Sequence, residues 1–353
     1  MALLTAVALE AVAQPDVVWS LDVAAVFENR EGDDCYSPPQ TIFQTRLAPE
    51  IGISFLDGHS VMGGVAWTQP CNRDCDDYDI TPTIYYQYLS PHWRLFLGMF
   101  PRTKLIEPMH TVEWSDLKAY NEPNIRGAMM QYVHSHGFLE LLIDWRSIQS
   151  ETRREAFNAN LSARWNPCGA LLLGGRFHIN HLAKSSTGCD EQSVNDDVML
   201  NPYIGANLAG STALDSLVVT AGAVVQLERD RGDGNGWHTP AGLLVDVVAE
   251  WRWIGLKETL FAGKNLYPLY DKYGDLLNMG DPSYQAKFYS RTNVYAYIFR
   301  NQFMNLEAGL DFHYTPEAFN FWQKVVLRVY IDHRSWKDKR ATCPRDEYLR
   351  NIY

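Results

Sequence analysis

From residue 18 onward the chain alternates apolar and polar side chains with a period of two, and it keeps returning to that period for more than three hundred residues. In the run 157–165, Phe157, Ala159, Leu161, Ala163 and Trp165 share one face while Asn158, Asn160, Ser162 and Arg164 share the other. In 243–253, Leu243, Val245, Val247, Ala249, Trp251 and Trp253 oppose Asp246, Glu250 and Arg252. Successive side chains of a β-strand point to opposite faces, so this pattern predicts half-buried strands and argues against helices, whose period is 3.6. Nothing approaches the roughly 18–20 apolar residues of a membrane-spanning helix. Sixteen segments read as strands: 18–29, 42–56, 60–68, 81–89, 92–101, 126–134, 138–147, 156–166, 169–182, 198–209, 213–228, 238–254, 256–262, 285–299, 302–314 and 318–332. The stretch 103–121 has room for a short helix.

The links between these segments are unequal. Those after even-numbered segments are short, such as Asp57-Gly58-His59, Ser90-Pro91 and Arg300-Asn301. Those after odd-numbered segments are mostly long: 30–41, 69–80, 102–125, 148–155, 183–197, 229–237 and 263–284. Short turns on one rim and long loops on the other is the arrangement of outer-membrane barrels, with the short turns in the periplasm. An even strand count then returns both termini to the short-turn side.

A soluble β-sandwich also alternates, but sixteen strands exceed one sandwich, and no Pro-, Gly- or Ser-rich linker divides the chain into two. Lys is rare within the strands, where Arg, Asp, Glu, Asn and Gln recur; such side chains suit a polar lumen in which they pair across strands. Aromatics make up 13%, with 11 Trp and 19 Tyr. Trp19, Trp67, Tyr88, Trp93, Trp145, Trp165, Trp251, Trp253 and Tyr314 fall near segment ends, where amphipathic rings meet a membrane–water boundary. The expected fold is therefore an all-β, transmembrane, antiparallel up-and-down β-barrel of about 16 strands. The net charge of -11 argues against a nucleic-acid partner.

Three local stretches, Leu97-Gly98-Met99-Phe100-Pro101-Arg102, Pro123-Asn124-Ile125-Arg126-Gly127 and Asp144-Trp145-Arg146, together with the strand and loop pattern, resemble the porin-like outer-membrane barrels of Bacteroidota. The resemblance covers about 18–332 and implies class and cellular location, the cell outer membrane, without naming a solute. Such barrels often end on their last strand; here about twenty residues follow Asp332.

Parity turns a set of charges inward: Arg46, Glu50, Glu140, Asp144, Arg146, Arg164, Arg176, His178, Asp246, Glu250, Arg252, Glu307, Asp311, His313 and Arg328, with Asp22, Lys324 and Asp332 on the same face. They form either a charged constriction that selects solutes or a salt-bridge lattice that fills the lumen. The long link 102–125 offers His110, Glu113, Trp114 and Asp116 to an inward-folded constriction, and 263–284 competes for that role. Asp74, Asp76, Asp77 and Asp79 lie close together and are a weak calcium candidate, lacking the glycine and glutamate spacing of an EF-hand loop. Otherwise no metal site and no cofactor signature is present. The six cysteines fall into two even-numbered groups, four on the long-loop side and two on the short-turn side, and the expected pairings are Cys71–Cys75 and Cys35–Cys189 outside and Cys168–Cys343 inside.

Residues 1–13, apolar and ending Ala-Val-Ala, read as a secretory signal, with 14–332 as the barrel and 333–353 as a periplasmic tail. The leading functional expectation is a passive porin-like channel for small solutes. Outer-membrane lipid surrounds it, and a homo-oligomer or a surface lipoprotein is an admissible partner. A plugged barrel serving a surface assembly is the alternative, and a secreted carbohydrate-binding β-protein a weaker one. An enzyme would need a Ser or Asp beside a His on adjacent outward rim positions. No such set stands out along the chain, so the expectation is that it is not an enzyme.

Overall fold

The computed structural model describes residues 15–33, 35–71, 77–187, 192–234 and 236–337. Sixteen strands follow one another: β1 Asp16–Gly32, β2 Gln40–Ser54, β3 His59–Pro70, β4 Asp79–Leu89, β5 Trp93–Pro101, β6 Asn124–His134, β7 Gly137–Ser147 and β8 Ala156–Trp165. The second half comprises β9 Leu171–Leu182, β10 Asn195–Asn207, β11 Ser216–Asp230, β12 Ala241–Trp251, β13 Ile254–Gly263, β14 Phe288–Arg300, β15 Met304–Tyr314 and β16 Phe319–Asp332. Each pairs antiparallel with its sequence neighbours, and β1 pairs with β16 from Ser20↔Asp332 to Gly32↔Asn320, which closes the barrel. Closure removes both sheet edges and gives every strand a partner on each side, the condition for a sheet in a solvent that offers no hydrogen bonds.

The alternation has the orientation expected from parity. On β7, Leu139, Leu141, Ile143 and Trp145 are exposed, while Glu140 and Asp144 are 5% and 2% exposed. On the opposite wall Leu243 is 53% exposed and Leu310 41% exposed, whereas Asp311 is fully buried. The polar side chains are thus the interior and the apolar ones the surface, the reverse of a water-soluble protein. Trp67, Trp93, Trp145, Trp165, Trp251 and Trp253 are all exposed near strand ends. The stacked-sheet alternative disappears with this closed, apolar-surfaced barrel.

The short-turn rim carries 55–58, 90–92, 135–136, 166–170, 208–215, 252–253 and 301–303. The long-loop rim carries the rest, and two of its loops turn inward. Loop 102–123 holds helix α1 Asp116–Asn121, capped by the Ser115 hydroxyl, which accepts from the Lys118 amide. Loop 264–287 holds one turn of helix, α2 Tyr270–Tyr273. A last helical turn, α3 His333–Lys337, follows β16.

The candidate lumen and rim sites

The two inward loops interlock. The Ser115 amide donates to the Met279 carbonyl at 2.8 Å, the Asp281 amide to Thr111 at 2.8 Å, and the Tyr267 hydroxyl to Val112 at 2.7 Å. Apolar side chains seal the joint: Val112, Leu266, Tyr267 and Tyr284 pack on Met199, Val224, Leu244, Phe261 and Tyr289 of the wall. Ion pairs anchor it. Arg102 donates to Asp144 at 2.6 Å and lies 4.0 Å over the Trp114 ring; the Ile106 amide donates to Glu140 at 2.9 Å. Asp116 accepts from Arg291 at 2.7 Å, and His110 Nε2 sits 3.0 Å from Asp246. At the loop surface the Lys272 ammonium is held well above the usual lysine range by donating to Asp230 and Asp233. The loop of His110, Glu113, Trp114 and Asp116 therefore folds inward with the competing loop, and together they form a plug.

The inward charges divide accordingly. Glu140, Asp144, Arg146, His178 and Asp311 hold the plug or neighbouring wall groups; Arg146, for instance, donates to Asn180 and to the Leu276 carbonyl. Arg328 and Arg46 both pair with Asp22, and Glu50 accepts from Ser20 and Tyr85. His313 is buried against Tyr289 and Trp322, and Glu250 accepts from Tyr295 and Tyr297. On the short-turn side of the plug remains a cavity of about 490 Å³, lined among others by Arg46, Arg164, Arg176, Asp246, Lys257, Glu307 and Trp114. Arg252 departs from its expected place. β12 ends at Trp251, so Arg252 falls in the turn at φ 56°, exposed, with its guanidinium 5.0 Å over the Trp251 ring.

Cys35, Cys71 and Cys168 are exposed thiols, and their expected partners Cys189, Cys75 and Cys343 lie outside the described residues. So do Asp74 and Asp76; Asp77 and Asp79 are exposed. Among the described residues no cluster of His, Cys, Asp or Glu suits a metal ion. The segment 1–13 is likewise outside them.

A second arrangement lies on the outer face near the long-loop rim. Strand register places Trp145, Phe157, His181, Asp196 and Arg229 in one row across β7–β11. His181 Nδ1 lies 3.0 Å from Asp196 Oδ1. Asp196 also accepts from Arg229 at 3.2 Å and from Arg231 Nε at 2.8 Å. The imidazole packs on Phe157 (5.2 Å), which stacks on Trp145 (5.3 Å), and Arg229 lies 4.6 Å over Trp237. His181 Nε2 meets no hydrogen-bond partner among the described residues. This is a His beside an Asp on adjacent outward positions of the rim, the arrangement the sequence did not reveal. Fifteen residues separate them, and only register makes them neighbours.

The family model described as lipid A 3'-O-deacylase-type matches residues 12–333. The chain belongs to that family. Its description is enzymatic, which corrects the expectation that the chain is not an enzyme. No curated protein matches the chain. Among solved structures it is similar to OprB of Pseudomonas putida, with TM-score 0.52, 11% identity, and coverage of 90% of this chain and 94% of that one. It is also similar to OccK2 (OpdF) of Pseudomonas aeruginosa in complex with glucuronate, with TM-score 0.50, 10% identity, and coverage of 90% and 98%. At these identities the likeness is one of fold: this deacylase-type chain is built as a porin-like barrel.

Proposed function

We propose that this chain is an outer-membrane acyl-ester hydrolase acting on lipid of the outer leaflet, with His181 and Asp196 at its centre. The observation that carries the reading is the His181–Asp196 pair, in register, facing outward on the rim where lipid headgroups meet the barrel. Membership in the lipid A 3'-O-deacylase-type family supports it. A carboxylate on Nδ1 holds the imidazole in the tautomer that leaves Nε2 free as a general base. His181 Nε2 takes a proton from water and the hydroxide oxygen attacks the ester carbonyl. The tetrahedral intermediate collapses, and the leaving alkoxide recovers the proton from Nε2–H as the fatty acid departs. Arg231, about half exposed, supplies positive charge to the oxyanion or to a headgroup phosphate, and Arg229 reinforces it. Trp145, Phe157 and Trp237 supply the amphipathic surface that seats a lipid at the interface.

The test uses the full chain with lipid A in detergent micelles, reading loss of one acyl chain by mass. His181→Ala is expected to lower the rate about 100-fold or more, within the range of a general base, and Arg231→Ala to act mainly on KM. Unchanged hydrolysis by His181→Ala, or none by the parent protein, would overturn the assignment.

The 490 Å³ cavity in the lumen favours a second reading, porin-like passage of small solutes. It requires the two-loop plug to withdraw. Planar-bilayer recordings decide it: steps of conductance support passage, and silence at all voltages removes it.

A further inference from the structure

The cavity wall contains the same small device twice. On β9 and β10, Gly174 faces Tyr203 in register, and two residues toward the plug Arg176 faces Asn201. On β13 and β14, Gly255 faces Tyr295, and Lys257 faces Asn293. A Cβ at either glycine would run into the neighbouring tyrosine ring, so each ring lies flat across a gap that only glycine leaves. The cation two residues on then covers that ring, at 5.0 Å for Arg176 over Tyr203 and 5.0 Å for Lys257 over Tyr295. Both copies run in the same direction, glycine toward the short-turn rim and cation toward the plug.

The device holds a long cationic side chain against a ring rather than on a carboxylate, although Asp246, Glu113 and Glu107 lie near enough to Arg176 to act on its charge. Cation–π contact with a fixed ring fixes the head group at little cost in charge. Arg176 donates to the neutral Asn201 oxygen at 2.9 Å, and neither cation reaches a carboxylate at ion-pair distance among the described residues. Most other lumen cations are paired, Arg164 with Glu107 and Arg291 with Asp311 among them. The carboxylates nearby are engaged: Asp246 accepts from His110 and Thr259, and Glu258 from Ser290 and Thr292. Glu307, also lining the cavity, accepts from no side chain among the described residues and so welcomes a donor.

We propose that this cavity is a binding site for a small oxyanion that also carries hydroxyl groups. Arg176 and Lys257 attract its carboxylate or phosphate, and Glu307 accepts from one of its hydroxyls. A volume of about 490 Å³ suits a molecule of sugar-acid or sugar-phosphate size. The site lies on the short-turn side of the plug, so its ligand arrives from the compartment that rim faces. It is separate from the rim site and stands whether or not the rim is catalytic.

Calorimetric titration of the full chain in detergent tests it, with gluconate, glucose 6-phosphate and glucose as probes. One or both anions should bind one to one, and their ratio tells carboxylate from phosphate. Glucose should bind at least about tenfold more weakly, as should either anion to Arg176→Gln or Lys257→Gln, the loss of one charge-assisted hydrogen bond. Gly174→Val should weaken binding by displacing the Tyr203 ring, and His181→Ala should leave it unchanged. The heat-dependent gel shift of a closed barrel checks that each variant is folded. Absence of binding by both anions, equal binding of glucose, or indifference to both cation substitutions would overturn the proposal.

Discussion

Asp22 shows what an interior of charges demands of a single residue. Its carboxylate accepts from Arg46 at 3.0 Å and from Arg328 through Nε at 3.0 Å and Nη2 at 2.9 Å. Arg328 is 1% exposed, so these guanidinium groups lean on Asp22 in place of water. Asp22→Ala leaves two buried cations around one missing anion. The expected loss is about 3–5 kcal/mol of stability, as when one member of a buried ion pair is removed. Denaturant unfolding in lipid vesicles checks it, and a loss under 1 kcal/mol would mean that other groups or water compensate. The outward pair differs in its imidazole: Asp196 is 8% exposed and bears two guanidinium groups of its own, but the His181 side chain is 24% exposed. A ring exposed to that extent on a fixed carboxylate suits a reacting group.

At the next scale the plug is held to the wall by a few named ties. Arg102 is its hinge pin: it donates to Asp144, to the Glu122 carbonyl at 3.1 Å and to the Asn124 carbonyl at 3.4 Å, and it stacks on Trp114. Arg102→Ala cuts these ties and leaves Asp144 buried with only the Arg126 amide at 2.9 Å. Loop 102–123 should then loosen while the wall stays closed. Trypsin cleavage at Lys104 and Lys118 should speed up at least tenfold in intact membranes, with brief conductance steps appearing in bilayers. An unchanged cleavage rate would show that the interlock with loop 264–287 alone suffices.

For the whole molecule the governing fact is inversion, apolar side chains outward and charges inward. Leu141, 40% exposed near the middle of β7, stands for the outer face. Leu141→Arg should cost about 2–4 kcal/mol of folding into vesicles, the penalty for a cation at mid-bilayer, and little in detergent-free buffer if the chain were a soluble protein. Equal stability of the variant and the parent in vesicles would contradict a lipid-facing β7.

The period-two alternation, the short and long links and the rarity of Lys within strands were enough to set the strand count, the orientation of each face and the closed barrel. These are local properties, since side-chain alternation is a property of each strand alone. Length alone left 102–125 as either an inward loop or a surface one, with 263–284 as its competitor, and the locking of the two together was out of reach, because loop-to-loop hydrogen bonds leave no periodic trace. Arg252 followed strand parity only until the turn took over. The rim pair and the twin glycine–tyrosine–cation devices were invisible for one reason. Each depends on which residue of one strand stands opposite which residue of the next, and that register is set by pairing around the entire closed sheet.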